Sequence, residues 1–327
     1  MKLTRIFLIT LLLTGISYGV IAYAHATILI APTIQSFTPV KHENDGEITV
    51  TFVGDMVPTE NDLYNSSVFQ NLGNALSTAD LTIGNFEGTL ALPERAGKCN
   101  PASPKCFAFR GNNSFAESLQ NAGFDFVSLV NNHSLDFGKE GLTDTQTVLD
   151  TRGLSYVSPL SQIKELVVKN TKIGIIAVSS GPLGHKLTDY DFIKNTISDL
   201  KMRNDFVILI FHGGAEGADK TEVTGAEEFQ GSEDRGNVEL LAHTAIDAGA
   251  DLVLGSGPHV LRKIENYNGK IIAYSIGNFV GGNGKLNTRG ILGTSGIMNI
   301  TLSKDAAPAY TFTQVQLTED GIPQLVN

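Results

Sequence analysis

The sequence predicts an α/β fold, a sandwich of two mixed β-sheets flanked by helices, with a plain doubly wound sheet as the alternative. Three observations predict it. Short apolar runs rich in Val, Ile, Phe and Thr alternate with segments of helical periodicity from Ile48 to Gly255. The final quarter of the chain switches to hairpin signals, with strands joined by short turns. Polar residues of metal-ligand type fall at the carboxyl ends of strands, where α/β sheets bind their ligands.

Taken in order, ITVTFVG (48–54) is the first strand, and apolar spacing predicts a helix around Val68 to Leu76. DLTIG (80–84) is the next strand; a helix around Ser114 to Ala122 then stops at Gly123, and FDFVSLV (124–130) follows. A helix around Leu142 to Leu149 is closed by Gly153, and KELVVKNTKIGIIAVSS (164–180) reads as a hairpin turning at Asn170. A helix around Tyr190 to Met202 precedes the strand FVILIF (206–211), and one around Val238 to Ala248 precedes DLVLG (251–255). ENYNGKIIAYSIGNF (265–279) turns at Asn268 and Gly269, and strands follow near Gly296 to Ser303 and Tyr310 to Leu317.

The chain has 327 residues, with 24 Lys plus Arg against 34 Asp plus Glu, a formal charge of −10. No basic run occurs beyond the N-terminus, so nucleic acid is excluded as a partner. Lys2 and Arg5 precede an apolar run from Ile6 to Ala24, and Ala22-Tyr23-Ala24 and Ala24-His25-Ala26 suit a signal peptidase. Residues 1–26 are therefore a signal peptide or, uncleaved, an N-terminal membrane anchor. Residues 27–46 form a stalk and 47–327 a single domain. Either reading puts the domain outside the cytoplasm, in the periplasm or at the cell surface, and the membrane is a partner if the segment is kept. Cys99 and Cys106 share a loop whose Pro and Gly forbid a helix. In an oxidising compartment they form a disulfide; a two-thiol metal site is the weaker alternative.

The stretch FDFVSLVNNHSLDFGKEG (124–141) carries the first sign of chemistry. Turn formation does not require Asn-Asn-His. Asn132 offers a carbonyl oxygen to a cation, His133 titrates near neutrality, and Asp136 is spaced to hold the imidazole in one tautomer. The pattern recurs at other strand ends: ITVTFVG delivers Asp55, DLTIG delivers Asn85 and Glu87, FVILIF delivers His212 with Glu216 behind it, and DLVLG delivers His259. Each has an ordinary explanation alone; together they make an oxygen and nitrogen set suited to Mn, Fe, Zn or Mg and unsuited to copper(I) or iron–sulfur clusters. Neither a Gly-rich phosphate loop nor a GxSxG elbow occurs.

At these residues the chain resembles the CapA/PgsA family of poly-γ-glutamate capsule proteins, a branch of the calcineurin-like metallophosphoesterases. The pieces are FVGDM, IGNFEG, FDFVSLVNNHSLDFGKEGL, FHGGAE, GSGPHV and IIAYSIGNFV, in that order from about Thr49 to Val280. The resemblance implies a four-layer α-β-β-α sandwich and one or two divalent ions. Asp55, Glu87 and His259 would hold one, and Glu87, Asn132 and His212 the other. It makes His133, with Asp136, a proton donor and places Asn85, Glu216, Arg262, Tyr274, Ser275 and Asn278 on the substrate side. It implies an anionic envelope polymer or a phosphoester as partner, bound for hydrolysis or held without turnover during export. Arg110, Arg262 and Arg289 are candidates to reverse the acidic field at the cleft. The chain departs from the wider superfamily twice: Met56 and Val57 follow Asp55 where Asp-x-His is expected, and Gly257 stands where the first histidine of Gly-x-His-x-His belongs.

Overall fold

The computed structural model describes residues 39–40, 47–100 and 106–326. The leader at 1–26 lies outside them, as does all of the stalk at 27–46 except Pro39 and Val40. Those residues form β1 (Pro39–Val40), which pairs in parallel with Val167 and Val168. Among the described residues no helix is long and apolar enough to cross a membrane.

Strand β2 (Glu47–Val57) continues through Asp55 to the buried Val57. Asn61 then caps α1 (Asp62–Ser67), its side chain accepting from the Tyr64 N–H at 3.1 Å. The helix expected over Val68 to Leu76 does not form. After α1 comes one 3-10 turn at Gln70–Leu72, broken by Gly73 with φ 57°. Val68, Phe69, Leu72 and Leu76 are all buried, so their spacing tracked burial against the sheet.

Next come β3 (Leu81–Phe86), α2 (Asn113–Ala122), β4 (Phe126–Ser128), α3 (Gly138–Thr151) and β5 (Ser155–Val157). The expected hairpin forms from β6 (Ile163–Val168) and β7 (Thr171–Ser179), with Lys169 and Asn170 at φ 47° and 63° in its turn. Then follow α4 (Tyr190–Lys201), β8 (Phe206–His212), a small hairpin of β9 (Glu228–Gln230) and β10 (Glu233–Gly236), α5 (Val238–Asp247) and β11 (Leu252–Ser256). Strands β12 (Ile264–Tyr267) and β13 (Lys270–Ala273) turn at Asn268 and Gly269 as expected, and β14 (Asn278–Gly281), β15 (Thr294–Ser303), β16 (Ala309–Leu317) and β17 (Pro323–Leu325) complete the chain.

Two mixed sheets result. One has the order β1-β6-β7-β8-β11-β13-β12; the other has β17-β16-β15-β2-β3-β4-β5, with β14 also on β2. Phe52, Ile83 and Phe126 of the second meet Ile175, Ile208 and Leu254 of the first in the layer between them. Helices α1, α2 and α3 cover the outer face of the second sheet through Tyr64, Phe115, Leu119 and Leu142. Helices α4 and α5 cover the first through Ile193, Ile197, Leu241 and Ala245. The architecture is the four-layer α-β-β-α sandwich. It explains the sequence pattern of β8, whose seven residues are all buried because both faces are covered.

Strand β14 reaches its place beside β2 through a close crossing. The Asp55 N–H donates to Gly277 O at 3.1 Å, and a Cβ on Gly54 would lie 1.9 Å from that same oxygen. Asn278 is thereby set opposite Asp55.

Cys99 and Cys106 are bonded, with Cα atoms 5.5 Å apart. Closing so short a loop removes about 2–3 kcal/mol of unfolded-chain entropy. Intact-mass measurement of alkylated native protein should find no modified thiol before reduction and two after; two thiols alkylated without reductant would contradict the bond.

Candidate metal centre

The carboxyl ends of neighbouring parallel strands bring the polar residues together. Strands β2, β3 and β4 run parallel in one sheet and deliver Asp55, then Asn85 and Glu87, then Asn131 to His133. In the other sheet β8 and β11 run parallel, with His212 level with Ser256 and His259 on the loop that follows. His259 has φ 62°, a left-handed conformation uncommon for a residue with a side chain and found where surrounding structure enforces it.

Glu87 is the hub. Its Oε1 lies 3.4 Å from His212 Nε2 and 3.9 Å from both His133 Nε2 and His259 Nε2. Asp55 lies alongside, with Oδ1 3.9 Å from His212 Nε2 and Oδ2 3.1 Å from His259 Nδ1. Donors bound to one ion at about 2.1 Å lie no more than about 4.2 Å apart. Asp55, Glu87 and His212 each offer an atom to one common point, whereas His259 turns Nδ1 to Asp55 and Nε2 to Glu87 and so can join Glu87 on an ion only through Nε2.

Hydrogen-bond accounting tests the fit to a metal. Glu87 is fully buried, yet among the described residues neither carboxylate oxygen has a hydrogen-bond partner. Both ring nitrogens of the buried His212 are likewise unpartnered, as is Asn132 Oδ1. An unpaired carboxylate buried in this way costs several kcal/mol. A divalent cation would satisfy Glu87 and His212 Nε2 at once, and the mixed carboxylate and imidazole set suits a hard or borderline ion.

The charges agree. Burial opposes ionisation of Glu87, but the imidazoles of His259, His212 and His133 hold its carboxyl well below the usual carboxylate range. Burial opposes the charge on His259, but Glu87, Asp55 and Glu216 raise its pKa from 6.5 to about 10. The neighbouring carboxylates thus draw positive charge onto His259.

His133 stands at the edge of this group. Its Nδ1 is 2.8 Å from Asp136 Oδ2, a carboxylate oxygen that accepts the Nδ1 proton and leaves Nε2 facing Glu87. The other oxygen of Asp136 is 2.6 Å from Lys98 Nζ, and the Phe109 N–H donates to Oδ2 at 2.6 Å. The Phe109 ring stacks on the imidazole with centroids 4.3 Å apart. The disulfide-tied loop thus carries Lys98 and Phe109 onto the His133–Asp136 pair. Neither was foreseen from the sequence.

The remaining expected residues divide. Asn85 positions Asp55, its amide donating to Oδ1 at 2.8 Å, and Asn131 supports it in turn by donating to Asn85 Oδ1 at 3.2 Å. Asn278 Oδ1 is 2.8 Å from His259 Nδ1, and Glu216 Oε2 is 3.9 Å from His259 Nε2. Arg262 does not face the cleft; its guanidinium is held by both Glu228 oxygens at 2.8 and 2.7 Å. Tyr274 packs in the outer core and donates to Glu265 at 2.8 Å, and the Ser275 hydroxyl donates to Val260 O at 2.7 Å. Buried strand-end geometry turns these residues into supports for the turn. Arg110 lies over the Phe137 ring at 4.1 Å, and Arg289 lines a groove with Glu319 and Asp320. The buried Arg235, which sequence reasoning also missed, bridges the loop that follows His212 and the loop that carries His259.

Comparison with known proteins gives the family of the chain. The chain is 29% identical over 295 residues to the capsule biosynthesis protein CapA of Bacillus anthracis, covering 81% of this chain and 68% of that protein. It is 27% identical over 305 residues to the PGA biosynthesis protein CapA of Bacillus subtilis strain 168, covering 86% and 74%. Among solved structures it is similar to the purple acid phosphatase PPD1 of yellow lupin, with a TM-score of 0.41, 12% identity, and coverage of 89% of this chain and 54% of that one. The model of the bacterial capsule synthesis protein family PGA_cap matches residues 49–283, a span that holds every residue of the centre, and the chain belongs to that family.

Proposed function

We propose that this chain acts outside the cytoplasm in the synthesis of an anionic envelope polymer of the poly-γ-glutamate type, and that its centre is a metal-dependent, phosphoesterase-type hydrolase. The observation that carries the reading is Glu87, buried without a hydrogen bond and ringed by three imidazole nitrogens at 3.4 to 3.9 Å. Asp55, Glu87, Asn132, His212 and His259 would hold the ion, which supplies Lewis-acid polarisation and lowers the pKa of water. His133 holds a proton at Nε2 for the leaving group, while Asp136 fixes its ring and Phe109 covers one face against water.

A second reading, a binding component that grips the polymer through the ion without cleaving it, is favoured by the thin ligand set. Met56 and Val57 are fully buried; Met56 belongs to the outer core, so the side chains after Asp55 add no imidazole. Metal analysis of the purified protein, with a panel of phosphomonoesters, phosphodiesters and poly-γ-glutamate, separates the two. Metal-dependent turnover of any member supports hydrolysis. Metal-dependent polymer binding without turnover supports the second reading, and a protein that takes up no divalent metal overturns both.

A further inference from the structure

Residue 257 has no side chain to offer, and the structure shows what fills its place. Gly257 has φ 114°, and a Cβ there would lie 2.9 Å from Gly213 O and 3.0 Å from Arg235 Nη2. The Arg235 guanidinium occupies that space, fully buried. Its Nε donates to Gly214 O at 3.0 Å, and Nη2 lies 3.5 Å from Gly257 O. It also pairs with two carboxylates, Glu233 at 3.3 Å and Glu216 at 3.1 Å.

Glu216 differs from Glu233 in where its second oxygen goes. Oε1 is held by Arg235, and Oε2 is 3.9 Å from His259 Nε2, the nitrogen that faces Glu87. That separation allows Glu216 Oε2 and His259 Nε2 to share an ion at the edge of the tighter Asp55, Glu87 and His212 group. The backbone that carries Glu216 is strapped down on both sides. Gly213 N–H donates to Ser256 O at 3.0 Å, Gly214 N–H to Arg235 O at 2.8 Å, and Gly217 N–H to Pro258 O at 3.3 Å.

We infer that Glu216 is a further carboxylate ligand of the metal centre, delivered by Arg235 through the space that residue 257 leaves open. The inference rests on the reading of the centre as a metal site. An anionic ligand from a loop replaces an imidazole from the strand end, so the missing histidine does not leave the ion one donor short. The Arg235 charge offsets the added carboxylate in the buried wall.

The test is Co2+ titration of the full chain, followed by visible absorption and calorimetry, for wild type, Glu216→Gln, Glu233→Gln and Asp55→Ala. Glu216→Gln keeps the side-chain shape on a partly exposed residue, and thermal melting of the metal-free protein checks its fold. It should weaken Co2+ binding by about tenfold or more and change the absorption spectrum. Glu233→Gln, which removes the other Arg235 partner, should match wild type in both. Wild-type affinity and spectrum in Glu216→Gln, or an equal loss in Glu233→Gln, would overturn the inference and leave the metal reading intact. A wild type that does not bind Co2+, or that binds it no better than Asp55→Ala, would overturn the metal reading and the inference together.

Discussion

Glu87→Ala removes the metal. Its Oε1 lies within 3.9 Å of three imidazole nitrogens, so its loss leaves Asp55 as the carboxylate beside both His212 and His259 and breaks the Asp55, Glu87 and His212 set. If a closed site worth about 10–16 kcal/mol is shared among four ligands, each carries about 3 kcal/mol, or about 10²-fold in affinity. Glu87 should exceed that share because it stands between the ligands on both sheets. Elemental analysis after dialysis should find stoichiometric metal in wild type and a trace in the variant. Added Mn2+ or Zn2+ should raise the melting temperature of wild type only, since a ligand stabilises only the state it binds. Full metal content in Glu87→Ala would mean that the orphaned oxygens had been misread.

His133→Ala separates proton transfer from metal binding. The imidazole reaches the centre only through Nε2 at 3.9 Å from Glu87, while its other nitrogen is committed to Asp136. Metal content should stay near wild type. Turnover, in a hydrolase, should fall by about 10²–10⁴-fold, the range for loss of a positioned general acid. The loss should be smallest for nitrophenyl esters, whose leaving group departs without a proton. An equal loss on nitrophenyl and alkyl esters would assign His133 to binding, and metal loss in step with rate would make it a ligand.

Both experiments address residues that could be read from the chain itself, and there is a physical reason. A strand covered on both faces, such as β8, must be apolar throughout, so a histidine at its end stands out. Residues at carboxyl ends of parallel strands also converge whatever their distance in sequence. That reasoning pointed to Asp55, Glu87, His133, His212 and His259, which the fold brings within 3.9 Å of one another through Glu87 and Asp55. It could not locate Arg235, whose partners lie in two other segments as well as in its own exposed hairpin. Arg262 misled for the opposite reason: it closely follows His259, but its bidentate bond to Glu228 depends on strand β9, 34 residues upstream. The helix expected at Val68 to Leu76 failed because buried turns and 3-10 segments share the apolar spacing of a helix.

The crossing of Gly54 and Gly277 bears on how variants of this protein should be interpreted. A methyl group on Gly54 would drive into Gly277 O at 1.9 Å, and the backbone could yield only by moving β14 away from β2. Asn278 travels with β14 and touches His259, so the strain of a single methyl would be felt at an imidazole it never contacts. Inactive variants at these glycines therefore mimic ligand loss, and a mutational map drawn from activity alone would assign chemistry to two residues that have no side chain with which to perform it.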